Sequence, residues 1–238
     1  LPEKPRSYDA KIAKIVSLSE TVKHFVLEYA PECDTSFTAG QFMMVHLEKD
    51  GKPHKKSYSI ASSPSLPKQI ELCVKLVEGG HVSTWFFGLK EGDVIHTSLP
   101  YGVFTVREPW QPHIVFVGTG TGIAPLRGMI KTLFEKNCDK EITLISGNRY
   151  ESEVLYENEW RALEKKHRNF HFIPTVSRGK TWSGETAYVQ DIVKRLFSGK
   201  IEGLDFYSCG LVPMCQQLKA ALIEMNVPKE RIHFEQFT

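Results

Sequence analysis

The feature that most constrains this chain is a change of pattern at Arg107-Glu108-Pro109-Trp110-Gln111-Pro112. Upstream, short runs at residues 11–16, 23–28, 41–47, 57–60 and 70–76 mix apolar and polar residues in alternation. Alternation with a period of two puts one side of a strand in a core and the other in water, which predicts an antiparallel sheet or barrel. Ala39-Gly40, Asp50-Gly51, Gly79-Gly80 and Glu91-Gly92-Asp93 supply its turns. Downstream, Ile114-Val115-Phe116-Val117 and the runs at 142–145, 170–173 and 204–209 are continuously apolar or nearly so, as strands buried on both faces require. Between them Ile123, Leu126, Met129, Ile130, Leu133 and Phe134 share one helical stripe, and Met214, Leu218, Ala221, Leu222 and Met225 share another. The expected architecture is therefore a β domain over residues 1–108 followed by an α/β domain with a parallel sheet over 109–238.

Composition narrows the chemistry. With 41% apolar and 24% charged residues among 238, the chain should bury a real core. A net charge of +2 gives no bulk electrostatic reason to bind nucleic acid, and none is expected as a partner. No apolar run approaches the roughly 18 to 20 residues that span a bilayer, and Leu1-Pro2-Glu3-Lys4-Pro5-Arg6 lacks the apolar core of a secretory signal. The five cysteines, Cys33, Cys73, Cys138, Cys209 and Cys215, are odd in number, scattered and without the spacing of a metal or iron–sulfur site. No metal is expected, and free thiols point to a reducing compartment, the cytoplasm.

Five segments carry chemistry. Lys56-Ser57-Tyr58-Ser59 offers a cation, an aromatic face and hydroxyls in a strand-like run. Gly118-Thr119-Gly120-Thr121-Gly122 follows an apolar strand and leads into a helix with Pro125 in its first turn, so that backbone N–H groups can face a phosphate without side-chain obstruction. Its glycine spacing differs from G-x-G-x-x-G, and a turn that merely packs is the plainer alternative. Cys209-Gly210 ends another apolar strand ahead of a helix; a strand-end cysteine is also a common small buried group. Gly79-Gly80-His81-Val82-Ser83-Thr84 suits a pyrophosphate at a helix start, or equally a hairpin turn with an N-cap. The ending His233-Phe234-Glu235-Gln236-Phe237-Thr238 sets a carboxylate between aromatics, either as packed core or as a cover over a ligand.

Taken in this order, these segments resemble the ferredoxin-NADP reductase superfamily, the flavoprotein reductases that include cytochrome b5 reductase and the reductase components of aromatic-ring oxygenases. The resemblance runs from about Tyr8 to Thr238. It implies an antiparallel flavin-binding β-barrel followed by a Rossmann-like nicotinamide-binding domain, with FAD bound, or FMN as the alternative, and NADH or NADPH as co-substrate. In the family's R-x-Y-[ST] motif the arginine holds flavin phosphate, the tyrosine packs on the isoalloxazine and the hydroxyl meets its N5 region. Tyr58 and Ser59 match, while Lys56 stands in place of arginine, keeping the charge and losing the bidentate fork.

The resemblance further implies that Cys73-Val74-Lys75 runs past the adenosine side of the flavin and that Gly80-His81-Val82-Ser83 is the pyrophosphate turn. Gly120, Thr121 and Gly122 would hold the nicotinamide nucleotide, with Cys209 and Gly210 beside its ring, and Phe237 would shield the flavin. Ser59, Cys209 and Glu235 are the implied positioning groups at the reacting rings. Ser177 and Arg178 would meet the ribose end, and they fit either nicotinamide. The implied activity is hydride transfer from NAD(P)H to flavin and then electron transfer to a separate acceptor such as ferredoxin, flavodoxin or an oxygenase component. A diffusible flavin, ferric or quinone reductase, or a redox-regulatory subunit that binds both nucleotides, are the alternatives. Lys52, His54, Lys55 and Lys56 form a basic loop that would suit an acidic carrier, or is simply a solvated hairpin.

Overall fold

The structure is a computed structural model and describes residues 4–49 and 51–237. Asp50 of the expected Asp50-Gly51 turn, Leu1 to Glu3, and the terminal Thr238 lie outside the described residues. The chain forms two compact units, Leu1–Thr105 with Arg127–Lys136, and Val106–Leu126 with Asn137–Thr238.

The first unit is built on β1 (Arg6–Ser19), β2 (Val22–Glu28), β3 (Phe42–Lys49), β4 (Lys52–Ser59), β5 (Gln69–Lys75), α1 (His81–Gly88) and β6 (Val94–Tyr101). Its six-stranded sheet has the order β4-β3-β6-β1-β2-β5 and every pairing is antiparallel. A bridge between Ile60 and Leu72 joins the ends of the sheet in a barrel-like closure. Inward positions such as Ile12, Phe25, Leu27, Met43, Val45, Ile70 and Leu72 are fully buried in one core. Strand β6 was not legible in the sequence because one of its inward positions is Thr97. That hydroxyl is satisfied in place, donating to Tyr8 O at 2.9 Å and lying 3.1 Å from the Tyr29 hydroxyl.

The basic run also differs from expectation. Lys52, His54, Lys55 and Lys56 are not in a loop; they belong to β4, which pairs with β3 from Lys49 opposite Lys52 to Phe42 opposite Ser59. Strand β4 lies at the end of the strand order and is exposed along most of its length, and charged lysines on such an edge discourage pairing with another chain.

The second unit carries β7 (His113–Thr119), β8 (Glu141–Asn148), α3 (Glu157–Lys166), β9 (Phe170–Val176), α4 (Val189–Phe197), β10 (Leu204–Leu211), α5 (Val212–Glu224) and β11 (Ile232–Phe237). Helix α2 (Ile123–Glu135) starts in this unit, and its residues from Arg127 onward count with the first. The five-stranded sheet has the order β11-β10-β7-β8-β9 and is parallel throughout. The order turns back at β7 and β10: the chain moves from β7 outward to β9, then returns to β10 on the other side. Ligands bind beyond the carboxyl ends of strands at such a switch point.

Candidate functional site

In the first unit the candidate residues gather around β4 and α1. Tyr58 meets the ring of Phe86 edge-on, with centroids 4.9 Å apart, and Phe86 is fully buried against Phe25 and Trp85. Burial pushes the Tyr58 phenol well up, so it stays neutral. Ser59 is buried at the end of β4. Lys56 is exposed two residues earlier, on the same side of the strand as Tyr58. The rings of His54 and His81 lie 6.4 Å apart, which brings β4 to the start of α1.

That helix start is open. Gly80 is its N-cap and no side chain caps the first N–H groups. The Ser83 and Thr84 hydroxyls both donate to Gly80 O at 2.9 Å, which holds the turn and leaves the amides to a ligand. An uncapped helix N-terminus of this kind fits a pyrophosphate. Cys73, Val74 and Lys75 form the end of β5, with Cys73 and Val74 buried and Lys75 exposed, opposite His24, Lys23 and Val22 of β2.

Behind this region the first unit holds a buried ionic clasp that the sequence did not announce. Arg127, 5% exposed, donates to Ala61 O at 2.8 Å and to Glu71 Oε2 at 2.5 Å. His24 Nε2 lies 3.8 Å from the other oxygen of Glu71. Burial alone would raise the Glu71 carboxyl, but His24 and Arg127 overcome it and bring the pKa down to about 2. The clasp ties Ala61, two residues after Ser59, to β5.

In the second unit the candidates converge at the switch point. Cys209 of β10 pairs with Gly118 of β7 on one side and with Glu235 of β11 on the other. Gly120 to Gly122 form a 3-10 turn between β7 and α2. Gly122 is required for packing: a Cβ there would fall 2.2 Å from Cys209 O. Gly120 is required for conformation, at φ +52, and a Cβ there would meet nothing within 4 Å, so its backbone faces open space. Thr119 adds a signal that sequence reasoning missed, for its Oγ1 is shielded from solvent and has no hydrogen-bond partner among the described residues. An open glycine backbone beside an orphan hydroxyl fits an incoming phosphate or amide.

Cys209 is fully buried; burial first, then Glu235 and Cys215, push its thiol well above the ordinary range. It is a neutral soft contact and not a nucleophile. Gly210 lies opposite Gln236, and Phe237 is half-buried opposite Leu211 at the end of β11. Ser177 and Arg178 are exposed just past β9, two strands from β7, and join the end of β8 through Ser177 N to Asn148 O at 3.0 Å and Arg178 N to Arg149 O at 2.8 Å.

Comparison with known proteins matches both units. Residues 9–106 match the oxidoreductase FAD-binding domain family and residues 116–220 the oxidoreductase NAD-binding domain family. Ferredoxin–NADP reductase B of Sorangium cellulosum is 31% identical over 239 residues, covering 97% of each chain. The chain belongs to the ferredoxin-NADP reductase superfamily. The reductase component of phenol 2-monooxygenase from a Pseudomonas species is 30% identical over 97% of this chain, which spans 65% of that relative's length. The reductase also superposes on a ferredoxin NADP+ reductase from Neisseria gonorrhoeae with a TM-score of 0.85 at 21% identity, over 97% of this chain and 98% of that one. Two-domain flavoenzyme architecture, with FAD and NAD(P)H as its cofactors, is thereby established for the reductase. No described helix is long and apolar enough to cross a membrane.

Proposed function

We infer that this reductase takes hydride from NAD(P)H onto bound FAD and passes the electrons to a separate soluble protein, a ferredoxin, a flavodoxin or an oxygenase component. The observation that carries the reading is the switch point, where the Gly120 backbone lies open, Gly122 packs on Cys209 and the Thr119 hydroxyl has no partner among the described residues. Residues 1–108 hold the flavin and 109–238 the nicotinamide. FAD is favoured over FMN because the α1 start offers a pyrophosphate site in addition to Lys56. When bound, the flavin supplies the electronics, accepting a hydride and releasing electrons singly or in pairs.

The chain supplies orientation. Tyr58 packs on the flavin ring, Ser59 donates to its reacting edge and Lys56 faces its phosphate. Cys73, Val74 and Lys75 run beside the adenosine, and the Gly80 turn, whose own amide is held by Val77 O at 2.8 Å, presents the amides of His81, Val82 and Ser83 to the pyrophosphate. Gly120, Thr121 and Gly122 seat the nicotinamide nucleotide, with Ser177 and Arg178 at its ribose end. Cys209, Gly210 and Glu235 border the nicotinamide, with Phe237 near them at the end of β11. A neutral Cys209 adds no second negative charge beside the Glu235 carboxylate, and none of these groups needs to transfer a proton.

The exposed lysines of β4 are a docking surface for an acidic carrier, and carrier reduction should then fall steeply with salt while dye reduction does not. A cytoplasmic setting agrees with the five free cysteines. Anaerobic mixing with each nicotinamide, followed by a screen of acceptor proteins, tests the assignment; it fails if neither nicotinamide bleaches the bound flavin. Cys209→Ala should slow flavin reduction about tenfold in single turnover while flavin stays bound. An unchanged rate would remove Cys209 from the site.

A further inference from the structure

Glu151 sits just past the end of β8, in a place built to receive an anion. Lys180 N and Thr181 N donate to its Oε1 at 2.9 and 2.8 Å, and the Thr181 hydroxyl adds a third bond at 3.2 Å. Two successive amides and a hydroxyl aimed at one oxygen make an anion nest. Around it Arg149, Arg178 and Lys180 are exposed, and their side chains have no ion-pair or hydrogen-bond partner among the described residues. Three cationic residues whose backbone flanks the nest would suit a phosphate, yet the nest is filled by the chain's own carboxylate. The amide of Thr181, foremost among its contacts, holds the Glu151 carboxyl below its usual range, so it is charged at neutral pH.

The far end of this loop is fastened as well. Val176 N donates to Glu185 O at 2.9 Å, Trp182 Nε1 to the same oxygen at 2.8 Å, and the Thr175 hydroxyl to Ala187 O at 2.6 Å. The nest therefore stays in position against β9. In doubly wound sheets the region past the strand that follows the phosphate turn meets the adenosine ribose; an acid there takes the 2′-hydroxyl, whereas a 2′-phosphate needs cations. Two acids follow the strand next to β7: Glu153 takes the amides of Arg149 and Tyr150 at 3.2 and 3.3 Å, whereas Glu151, 29 residues beyond Gly122, is the one in the nest of Lys180 and Thr181.

We propose that Glu151 sets nicotinamide choice: it is an internal anion in the nest of Lys180 and Thr181 that holds the place a 2′-phosphate needs, and so directs the reductase to NADH. The proposal rests on the second unit being the nicotinamide site. A second anion entering the nest must displace the first or share the site with it, and like charges at that distance repel. Arg149, Arg178 and Lys180 then serve to balance Glu151 and steer the nucleotide.

Two substitutions test this. Glu151→Gln keeps an acceptor for the loop amides and removes the charge, and Glu151→Ser empties the nest. Calorimetry on the flavin-loaded protein uses AMP and 2′-phospho-AMP as probes, and single-turnover flavin reduction compares NADH with NADPH. In the wild type, 2′-phospho-AMP should bind no tighter than AMP, and NADH at subsaturating concentration should reduce the flavin faster than NADPH. Glu151→Ser should bind 2′-phospho-AMP at least tenfold more tightly than wild type with AMP within twofold, Glu151→Gln should fall between, and Arg178→Ala in the serine background should remove the gain. A wild type that prefers 2′-phospho-AMP, or variants that shift both probes equally, would overturn the proposal. If neither NADH nor NADPH reduced the wild-type flavin, the reductase reading itself would fall, and this inference with it.

Discussion

The first unit carries charge into its interior, whereas the second pushes its buried titratable groups toward their neutral forms. Arg127 and Glu71 form an ionised clasp next to β5, with the carboxyl brought down to about 2. In the second unit burial dominates instead: it raises Cys209, takes Tyr207 up to about 12, and holds His233, stacked on Tyr207 with centroids 4.5 Å apart, down to about 4. The difference follows from sheet type. A barrel-like antiparallel sheet has an inside that must be closed at its ends by specific groups, and an ion pair fixes one geometry. A parallel sheet is covered on both faces, so its strand ends are desolvated and only backbone turns remain for a ligand.

The sharpest break between the units should come from Gly122→Val. Its Cβ would fall 2.2 Å from the carbonyl oxygen of Cys209, which is backbone and cannot rotate away. Nicotinamide-dependent flavin reduction should drop on the order of a thousandfold, about 4 kcal/mol in the barrier. Flavin should still co-elute on gel filtration, because its seat lies in the first unit. Loss of flavin together with activity would show that the two sites are not separable in this way.

Arg127→Met does the converse. It leaves Glu71 buried without its strongest cation, and removing one partner of such a pair costs about 3 to 5 kcal/mol. Urea unfolding followed by far-ultraviolet circular dichroism should show that loss, and Arg127→Met with Glu71→Leu should recover most of it. If the double variant were as unstable as the single one, packing rather than charge would be the clasp's contribution.

Much of this was legible in the chain, and what was hidden had physical reasons. Continuous apolar runs read directly as the parallel strands, and the glycines before α2 and α5 read as the strand-to-helix turns. The inward Thr97 disguised β6, and the lysines of β4 looked like a loop because an edge strand can be polar on both faces. Arg127 shares a helix with Ile123 and Leu126 but is 56 positions from Glu71, and nothing local in the sequence signals that pairing. Glu151 was equally silent, since its role depends on amides 29 and 30 residues away.

Acid should separate the units in time and pH. Both shifts are depressions, so each contribution is complete above the unfolded pKa and lost as pH falls through the folded one. For His233, kept neutral by burial and then by Arg107 and Arg231, the loss runs from about pH 6.5 down to about 4. For Glu71 it runs from about 4.5 down to about 2. Hydrogen exchange resolved by segment should show the second unit weakening first, by up to about 2 kcal/mol. His233→Phe, which keeps the stacking and cannot protonate, should flatten that first phase and leave the second in place.

The smallest effect tests the flavin side alone. Lys56 is exposed on β4, on the side of Tyr58, and an ammonium offers a phosphate a point charge where a guanidinium offers two parallel N–H groups. Lys56→Arg should therefore tighten flavin binding by about fivefold, roughly 1 kcal/mol, with reduction by nicotinamide unchanged. Fluorescence of released flavin on dilution measures it. No change in affinity would mean that Lys56 does not touch the phosphate, leaving the α1 amides as its main seat and returning the β4 lysines to the protein partner.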